Sequence, residues 1–279
     1  MKMNRNQFMK TSGGLAAVAV FGGSMLKTAQ LKAAPRQLNM HMGLASYSFR
    51  KFSLEETINM VKMLGLTHLA LKSMHMPLNA SEADIKLAAK KVRDAGLNLY
   101  GAGVIYMKNE DQVHQAFDYA KAADLQVIIG VPNHELLPLV DKKVKDYDMK
   151  VAIHNHGPGD ELYPSPESIY EKIKGLDQRI GICLDIGHTQ RIGLDPASEA
   201  KKYADRLHDV HIKDVSAAKP EGETVEIGRG VIDIPSFLNV LKKINYDGVV
   251  SLEYEKDADS PMVGSAESIG YLKGVMRMM

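Results

Sequence analysis

From Gln37 to the C-terminus, short apolar runs of strand length alternate with amphipathic segments of helix length, and this alternation constrains the fold more than any other feature. Strands are expected at His41–Ser46, His68–Leu71, Leu97–Val104, Val127–Val131, Lys150–His154, Ile180–Asp185, Leu207–Ile212 and Val249–Glu253. Between and after them the 3.6-residue period predicts helices at Leu54–Leu64, Glu82–Ala95, Asp111–Ala122, Glu135–Tyr147, Glu167–Ile173, Pro196–Tyr203, Pro235–Ile244 and Met262–Met276.

The punctuation agrees with the period. Ser53-Leu54-Glu55-Glu56 and Ser81-Glu82-Ala83-Asp84 read as capping boxes, the second with Asp in the place of Glu. Gly65 and Gly96 stand where the first two helices should stop, and Pro166, Pro196 and Pro235 stand near helix starts, where a missing N–H costs nothing. Eight strand–helix units in the 243 residues after Arg36 match the count and length of a single-domain α/β protein, a (β/α)8 barrel over residues 37–279. An open doubly wound sheet would carry a glycine-rich phosphate turn after its first strand, and Ser46-Tyr47-Ser48-Phe49-Arg50 has none.

Residues 1–36 fall outside the pattern. Lys2, Arg5 and Lys10 precede a run of small and apolar residues from Gly13 to Leu26, the order of an export signal, and the run is too short to span a bilayer. Asn4-Arg5-Asn6-Gln7-Phe8-Met9-Lys10 resembles a twin-arginine signal whose second arginine is Asn, so both the Tat and the Sec routes are open. Ala33-Ala34 is a poor cleavage site, and the leader holds no cysteine for a lipid anchor. The expected location is the periplasm; a leader that is not a signal would be a disordered extension of a cytoplasmic enzyme.

The leader also hides the charge of the body. It carries six basic residues and no acid, so removing it from a formal net charge of +1 leaves −5 on residues 37–279. A body of that sign has no electrostatic footprint for nucleic acid. No apolar stretch reaches eighteen residues, so no membrane span is expected. The single Cys183, inside Ile180-Gly181-Ile182-Cys183-Leu184, cannot form an intrachain disulfide and reads as a buried, inert thiol.

In a (β/α)8 barrel the chemistry gathers at the C-terminal ends of the strands. Here the fifth strand ends in His154-Asn155-His156, the sixth in Asp185-Ile186-Gly187-His188, the seventh in Asp209-Val210-His211-Ile212-Lys213-Asp214, and the eighth in Glu253-Tyr254-Glu255. One such residue would usually be a hydrogen-bonded rim group. Four consecutive strands that each end in an ionisable residue near the axis are costly to bury without a partner, and a divalent cation is the simplest common one. His154, Asp185, His211 and Glu253 supply two imidazoles and two carboxylates, suited to Mn2+, Co2+, Zn2+, Fe2+ or Mg2+.

With these residues in place, the chain resembles the xylose isomerase-like TIM barrel superfamily of sugar isomerases and epimerases, related to inosose dehydratase and ketose epimerases. The resemblance runs over residues 40–276 and rests on Leu184-Asp185-Ile186-Gly187-His188, His211-Ile212-Lys213-Asp214, Gly228-Arg229-Gly230-Val231-Ile232-Asp233 and Tyr246-Asp247-Gly248 leading into Leu252-Glu253. It implies one divalent metal held by Glu, Asp, His and Glu at the ends of strands five to eight. Asp185, His211 and Glu253 match the last three, and His154 stands where the first glutamate is usual. That departure removes one carboxylate of the acid–base pair that the epimerases use. Leu69-Ala70-Leu71-Lys72 also lacks the acid that many relatives carry on the second strand. The resemblance further implies that His188 contacts substrate and that Arg229 lies in a substrate-facing loop.

Such a site supports proton abstraction beside a carbonyl, through an enediolate, and thus isomerisation, epimerisation, dehydration or hydration of a keto-sugar or related polyol in carbohydrate breakdown. Glu253, His188 and Lys213 are the candidate catalytic residues; His156, His188, Arg229, His75 and His134 are the candidate substrate contacts. The expected partner is a small, non-phosphorylated sugar, with self-association of the chain left open. Two other readings compete. A metal-dependent endonuclease on the same barrel would need more ligands and a basic surface. A non-catalytic carbohydrate-binding protein on a degenerate barrel would need no metal, and the absence of Trp, the commonest sugar-stacking residue, disfavours it.

Overall fold

A computed structural model describes residues 40–279; the leader lies outside the described residues. Eight parallel strands close into a barrel: β1 His41–Ala45, β2 His68–Leu71, β3 Asn98–Met107, β4 Val127–Pro132, β5 Lys150–His154, β6 Ile180–Asp185, β7 Leu207–Ile212 and, eighth in the barrel, β10 Val249–Leu252. Each pairs with its sequence neighbour, and β10 pairs with both β7 and β1 to seal the ring. A small antiparallel hairpin, β8 Asp214–Val215 and β9 Thr224–Val225, sits between β7 and β10.

The helices are α1 Leu54–Met63, α2 Glu82–Asp94, α3 Glu110–Ala122, α4 Leu137–Tyr147, α5 Pro166–Ile173, α6 Ile186–Arg191, α7 Pro196–Lys202, α8 Ile234–Lys243 and α9 Met262–Met278. Their ends follow local chemistry. Ser53 and Glu56 form the reciprocal capping box at α1. At α2 the Ser81 hydroxyl accepts from the Asp84 N–H, but Asp84, one methylene shorter than Glu, takes the hydroxyl proton of Ser81 and not its backbone N–H. Gly65 and Gly96 adopt left-handed φ of 64° and 82° just past α1 and α2, as a helix stop requires.

The apolar core has two parts. Most of it lies between barrel and helices, from Leu44 and Val61 round to Leu241 and Leu272. A smaller plug of Ala70, Tyr100, Val127, Ile129, Ala152, Cys183 and Val249 fills the barrel interior. Cys183 is fully buried there, as its apolar run implied, and burial pushes its thiol well above the usual range.

Three departures from the sequence pattern shape the site. Strand β3 runs three residues past Val104, through a register irregularity between Ala102 and Ile105, and so carries Tyr106 to the mouth. A short helix, α6, follows β6 at once, because Asp185 caps it. The Asp214 carboxylate gathers four backbone N–H groups, of Val215 (2.9 Å), Gly228 (2.9 Å), Gly230 (3.0 Å) and Ile232 (3.2 Å), and so folds the Gly228–Ile232 loop against the end of β7. A side chain at Gly230 would bring its Cβ within 2.2 Å of that carboxylate, which is why glycine stands there.

Candidate metal centre at the strand ends

Strand periodicity builds the centre. Residues i and i+2 of a strand face the same side, so Ala152 and His154, Cys183 and Asp185, Asp209 and His211, and Ser251 and Glu253 form two interior layers, the upper one ionisable. Register aligns them: His154 pairs across β5/β6 with Cys183, Asp185 pairs with His211, and His211 pairs with Ser251. His154, Asp185, His211 and Glu253 are all buried, and one ligand atom from each lies within 4.8 Å of the others.

The contacts within the cluster are close. His154 Nε2 lies 3.1 Å from His211 Nδ1 and 3.4 Å from Asp185 Oδ2. His211 Nδ1 lies 3.1 Å from Glu253 Oε2. Lys213, from the residue after β7, places its Nζ 2.9 Å from Asp185 Oδ2, 2.8 Å from Glu253 Oε2 and 3.3 Å from Glu255 Oε2. Asp185 uses its other oxygen to accept the His188 N–H at 2.8 Å, the N-cap of α6.

Charge states follow from this geometry. Burial opposes ionisation of Asp185, but the Lys213 ammonium, with His188 and His154, outweighs it and holds the carboxyl far below the usual range. Burial likewise opposes the charge on Glu253, and Lys213 and His211 overcome it. Burial would strip Lys213 of its proton, but Asp185, Glu253 and Glu255 hold it on, well above the ordinary lysine value. His154 is pressed by burial down to about 3, only partly offset by Asp185. Its ring is therefore neutral across the working range, the state in which imidazole binds a metal.

The donor set fits a divalent ion. Ligands at about 2.0–2.1 Å around a tetrahedral ion are separated by about 3.3–3.4 Å, close to the 3.1 Å and 3.4 Å separations of the cluster. Two ionised carboxylates, the neutral His154 nitrogen and, once it gives up the proton that Glu253 favours on it, the His211 nitrogen would each offer a lone pair to the same space. The Lys213 ammonium contacts Asp185 Oδ2 and Glu253 Oε2 and balances one of their two charges.

The other predicted residues divide. His156 and His188 are brought to the cluster, their rings 4.5 Å and 6.0 Å from that of His154. Burial lowers both below the ordinary histidine value. Lys213 joins the cluster, but an amine held by three carboxylates keeps its proton through neutral pH, which leaves it the part of a fixed positive charge and not of a proton carrier. Three residues are turned elsewhere. His75 is buried in a structural junction, its Nδ1 2.9 Å from Ser46 Oγ and its Nε2 3.1 Å from both Thr57 Oγ1 and the Phe52 carbonyl. His134 donates to the Leu162 carbonyl at 3.1 Å and packs edge-on to Tyr163, tying the loop after β4 to the loop after β5. Arg229 is exposed and grips Glu267 of α9 with two nitrogens, at 2.5 Å and 2.8 Å. The loop fold that Asp214 imposes sends its side chain to the outer helix.

Two further groups reach the site to which the sequence reading gave no role. The Tyr106 hydroxyl lies 3.1 Å from His156 Nε2 with the rings stacked 5.7 Å apart, and Asp160 stands 3.6 Å from His156 Nδ1. Lys72, at the end of β2, bonds the Val104 carbonyl at 3.3 Å and lies 5.5 Å above the ring of Tyr47; burial lowers its pKa, against the pull of Glu253 and Glu255. Lys72 ends the apolar run Leu69-Ala70-Leu71, where the family resemblance leads one to expect an acid; nothing local marks Tyr106.

Comparison with known proteins converges on one family. A family model described as a xylose isomerase-like TIM barrel matches residues 53–275. An uncharacterized protein of Methanocaldococcus jannaschii is 31% identical over 132 residues, 46% of this chain and 44% of that protein. Inosose dehydratase of Clostridium beijerinckii is 28% identical over 130 residues, 40% of this chain and 43% of the enzyme. The chain thus matches under half the length of these curated relatives. In structure, a D-tagatose 3-epimerase-like protein superposes with a TM-score of 0.70 at 22% identity, over 86% of this chain and 98% of the other, a likeness of fold.

Proposed function

Since the chain belongs to the xylose isomerase-like TIM barrel family, we propose that it is a divalent-metal-dependent enzyme that abstracts a proton beside the carbonyl of a keto-sugar or related polyol. The outcome would be isomerisation, epimerisation, dehydration or hydration. The observation that carries the reading is the convergence of His154, Asp185, His211 and Glu253 on one buried point. Four ionisable residues from four strands have no structural need to meet there, and each would be cheaper as an apolar side chain.

His154, Asp185, His211 and Glu253 would hold the ion, which supplies Lewis acidity toward a carbonyl and its neighbouring hydroxyl. The protein's own groups do the rest. Glu253 keeps an ionised carboxylate in the cluster and is the group assigned to accept a proton from carbon. Lys213 adds a permanent positive charge, which favours negative charge developing on a substrate oxygen. His188 and His156, neutral at pH 7, are the groups able to take or return a second proton. Tyr106 holds the His156 ring in place through its Nε2.

The basic-then-apolar order of the leader supports export, and with it a non-phosphorylated sugar as substrate. The test is the divalent metal content of the purified chain, as isolated and after stripping and reloading with Mn2+. Near-stoichiometric metal in the wild type, lost in Asp185→Ala and His211→Ala, is the expected result, followed by solvent-deuterium incorporation into keto-sugars. No uptake under any loading condition would overturn the enzyme reading in favour of a sugar-binding barrel.

A further inference from the structure

His211 presents its two ring nitrogens to different surroundings. Nδ1 faces the cluster, 3.1 Å from both His154 Nε2 and Glu253 Oε2. Nε2 makes no hydrogen bond and faces Oδ2 of Asp209 at 3.8 Å, with both side chains shut off from solvent. Asp209 lies two residues back on β7, so strand alternation stacks its carboxylate beneath the ring. Its remaining partners are the Tyr100 hydroxyl at 3.2 Å, which is itself 2.6 Å from Ser251 Oγ, and the Cys183 thiol at 3.5 Å.

A carboxylate in a plug otherwise built of Ala70, Val127, Ile129, Ala152 and Val249 is expensive to bury. The chemistry proposed above makes no use of it. We infer that Asp209 is the positioning residue of the centre: its carboxylate, 3.8 Å from Nε2, favours the His211 proton on that nitrogen and so leaves the Nδ1 lone pair for the metal position. A carboxylate behind a metal-binding imidazole does this generally and raises the basicity of the ligand nitrogen. The outer nitrogen of each imidazole makes no hydrogen bond, but that of His211 faces a carboxylate at 3.8 Å, whereas the carboxylate contact of His154 is made through its inner Nε2. His211 is thus the ligand with a carboxylate behind it, and His154 has polar contacts only on its cluster side.

The inference rests on the metal reading, and two measurements separate them. Mn2+ affinity is measured by competition with a chelating indicator for wild type, Asp209→Asn and Tyr100→Phe. Asparagine keeps the volume and an acceptor for the Tyr100 hydroxyl but removes the charge; Tyr100→Phe perturbs the same layer and keeps the carboxylate. Asp209→Asn should bind Mn2+ about ten- to a hundredfold more weakly, and Tyr100→Phe should stay within about threefold of wild type. Equal affinity in wild type and Asp209→Asn would overturn the inference. The second readout needs no variant: in the Zn2+-loaded wild type, nitrogen NMR should show His211 bound through Nδ1 with an exchange-protected proton on Nε2. Binding through Nε2 would overturn the inference even if Asp209→Asn failed to fold. If the wild type itself takes up no metal, the metal reading falls, and this inference with it, by a result unlike either of those.

Discussion

Lys213 and Asp185 meet at 2.9 Å with neither side chain reaching solvent, and the same ammonium lies 2.8 Å from Glu253. A permanent cation thus sits inside a cluster whose donor set fits a second, removable one. The two should share the work of holding the buried carboxylates.

Lys213→Met tests that sharing. Without the ammonium, Asp185 and Glu253 are left as uncompensated buried charges, a change that typically destabilises by about 3–5 kcal/mol. The metal-free variant should melt well below wild type, and Mn2+ should raise its Tm by more than it raises that of wild type. A metal-free variant as stable as the parent would show that Lys213 carries no such burden.

His154 should leave a mark on the acid side. Its folded pKa, pressed by burial to about 3, lies below the value of about 6.5 that it has in an unfolded chain. The unfolded chain therefore binds the extra proton first. The stability tied to the neutral ring is complete above pH 6.5 and is lost as the pH falls toward 3, roughly 4–5 kcal/mol at most over the window. Urea midpoints of the metal-free protein between pH 7 and pH 4 should fall more steeply in wild type than in His154→Gln. Parallel curves would contradict the assignment.

His75 should matter to the fold and not to the centre. His75→Ala removes a buried ring that bonds Ser46, Thr57 and the Phe52 carbonyl. A cost of about 2–3 kcal/mol is expected from lost packing and unpaired groups. Metal content should be unchanged, and a variant that loses its metal while staying folded would place His75 closer to the chemistry than its contacts do.

Arg229→Ala should leave metal affinity, turnover and Tm close to wild type, because the guanidinium is exposed and engaged with Glu267. A large fall in kcat/KM with metal intact would mean that the arginine leaves Glu267 when substrate binds.

Much of this was legible in the sequence for a geometric reason. The barrel announced itself through eight repeats of strand period and helix period, and the four cluster residues are the inward positions at the ends of four strands, where a period of two fixes the facing side. What stayed hidden depends on partners distant in sequence. Asp209 gains its meaning from Tyr100, 109 residues away, and from the ring it lies beneath. Tyr106 reaches the mouth because β3 continues through an irregularity that alternation cannot foresee. Arg229 sits in the expected loop, but Glu267, 38 residues on, decides where it points. His75 and His134 follow strand ends as site residues do, yet each is claimed by a neighbouring loop.

Asp185 spends both its oxygens, Oδ1 on the first turn of α6 and Oδ2 on the cluster. A longer glutamate would have to give up either the helix cap or the contact with Lys213, and an asparagine would turn a donor toward one of them. Any exchange at this position therefore disturbs a helix end and the buried charge cluster at once, so the start of α6 and the electrostatics of the centre are coupled through a single side chain.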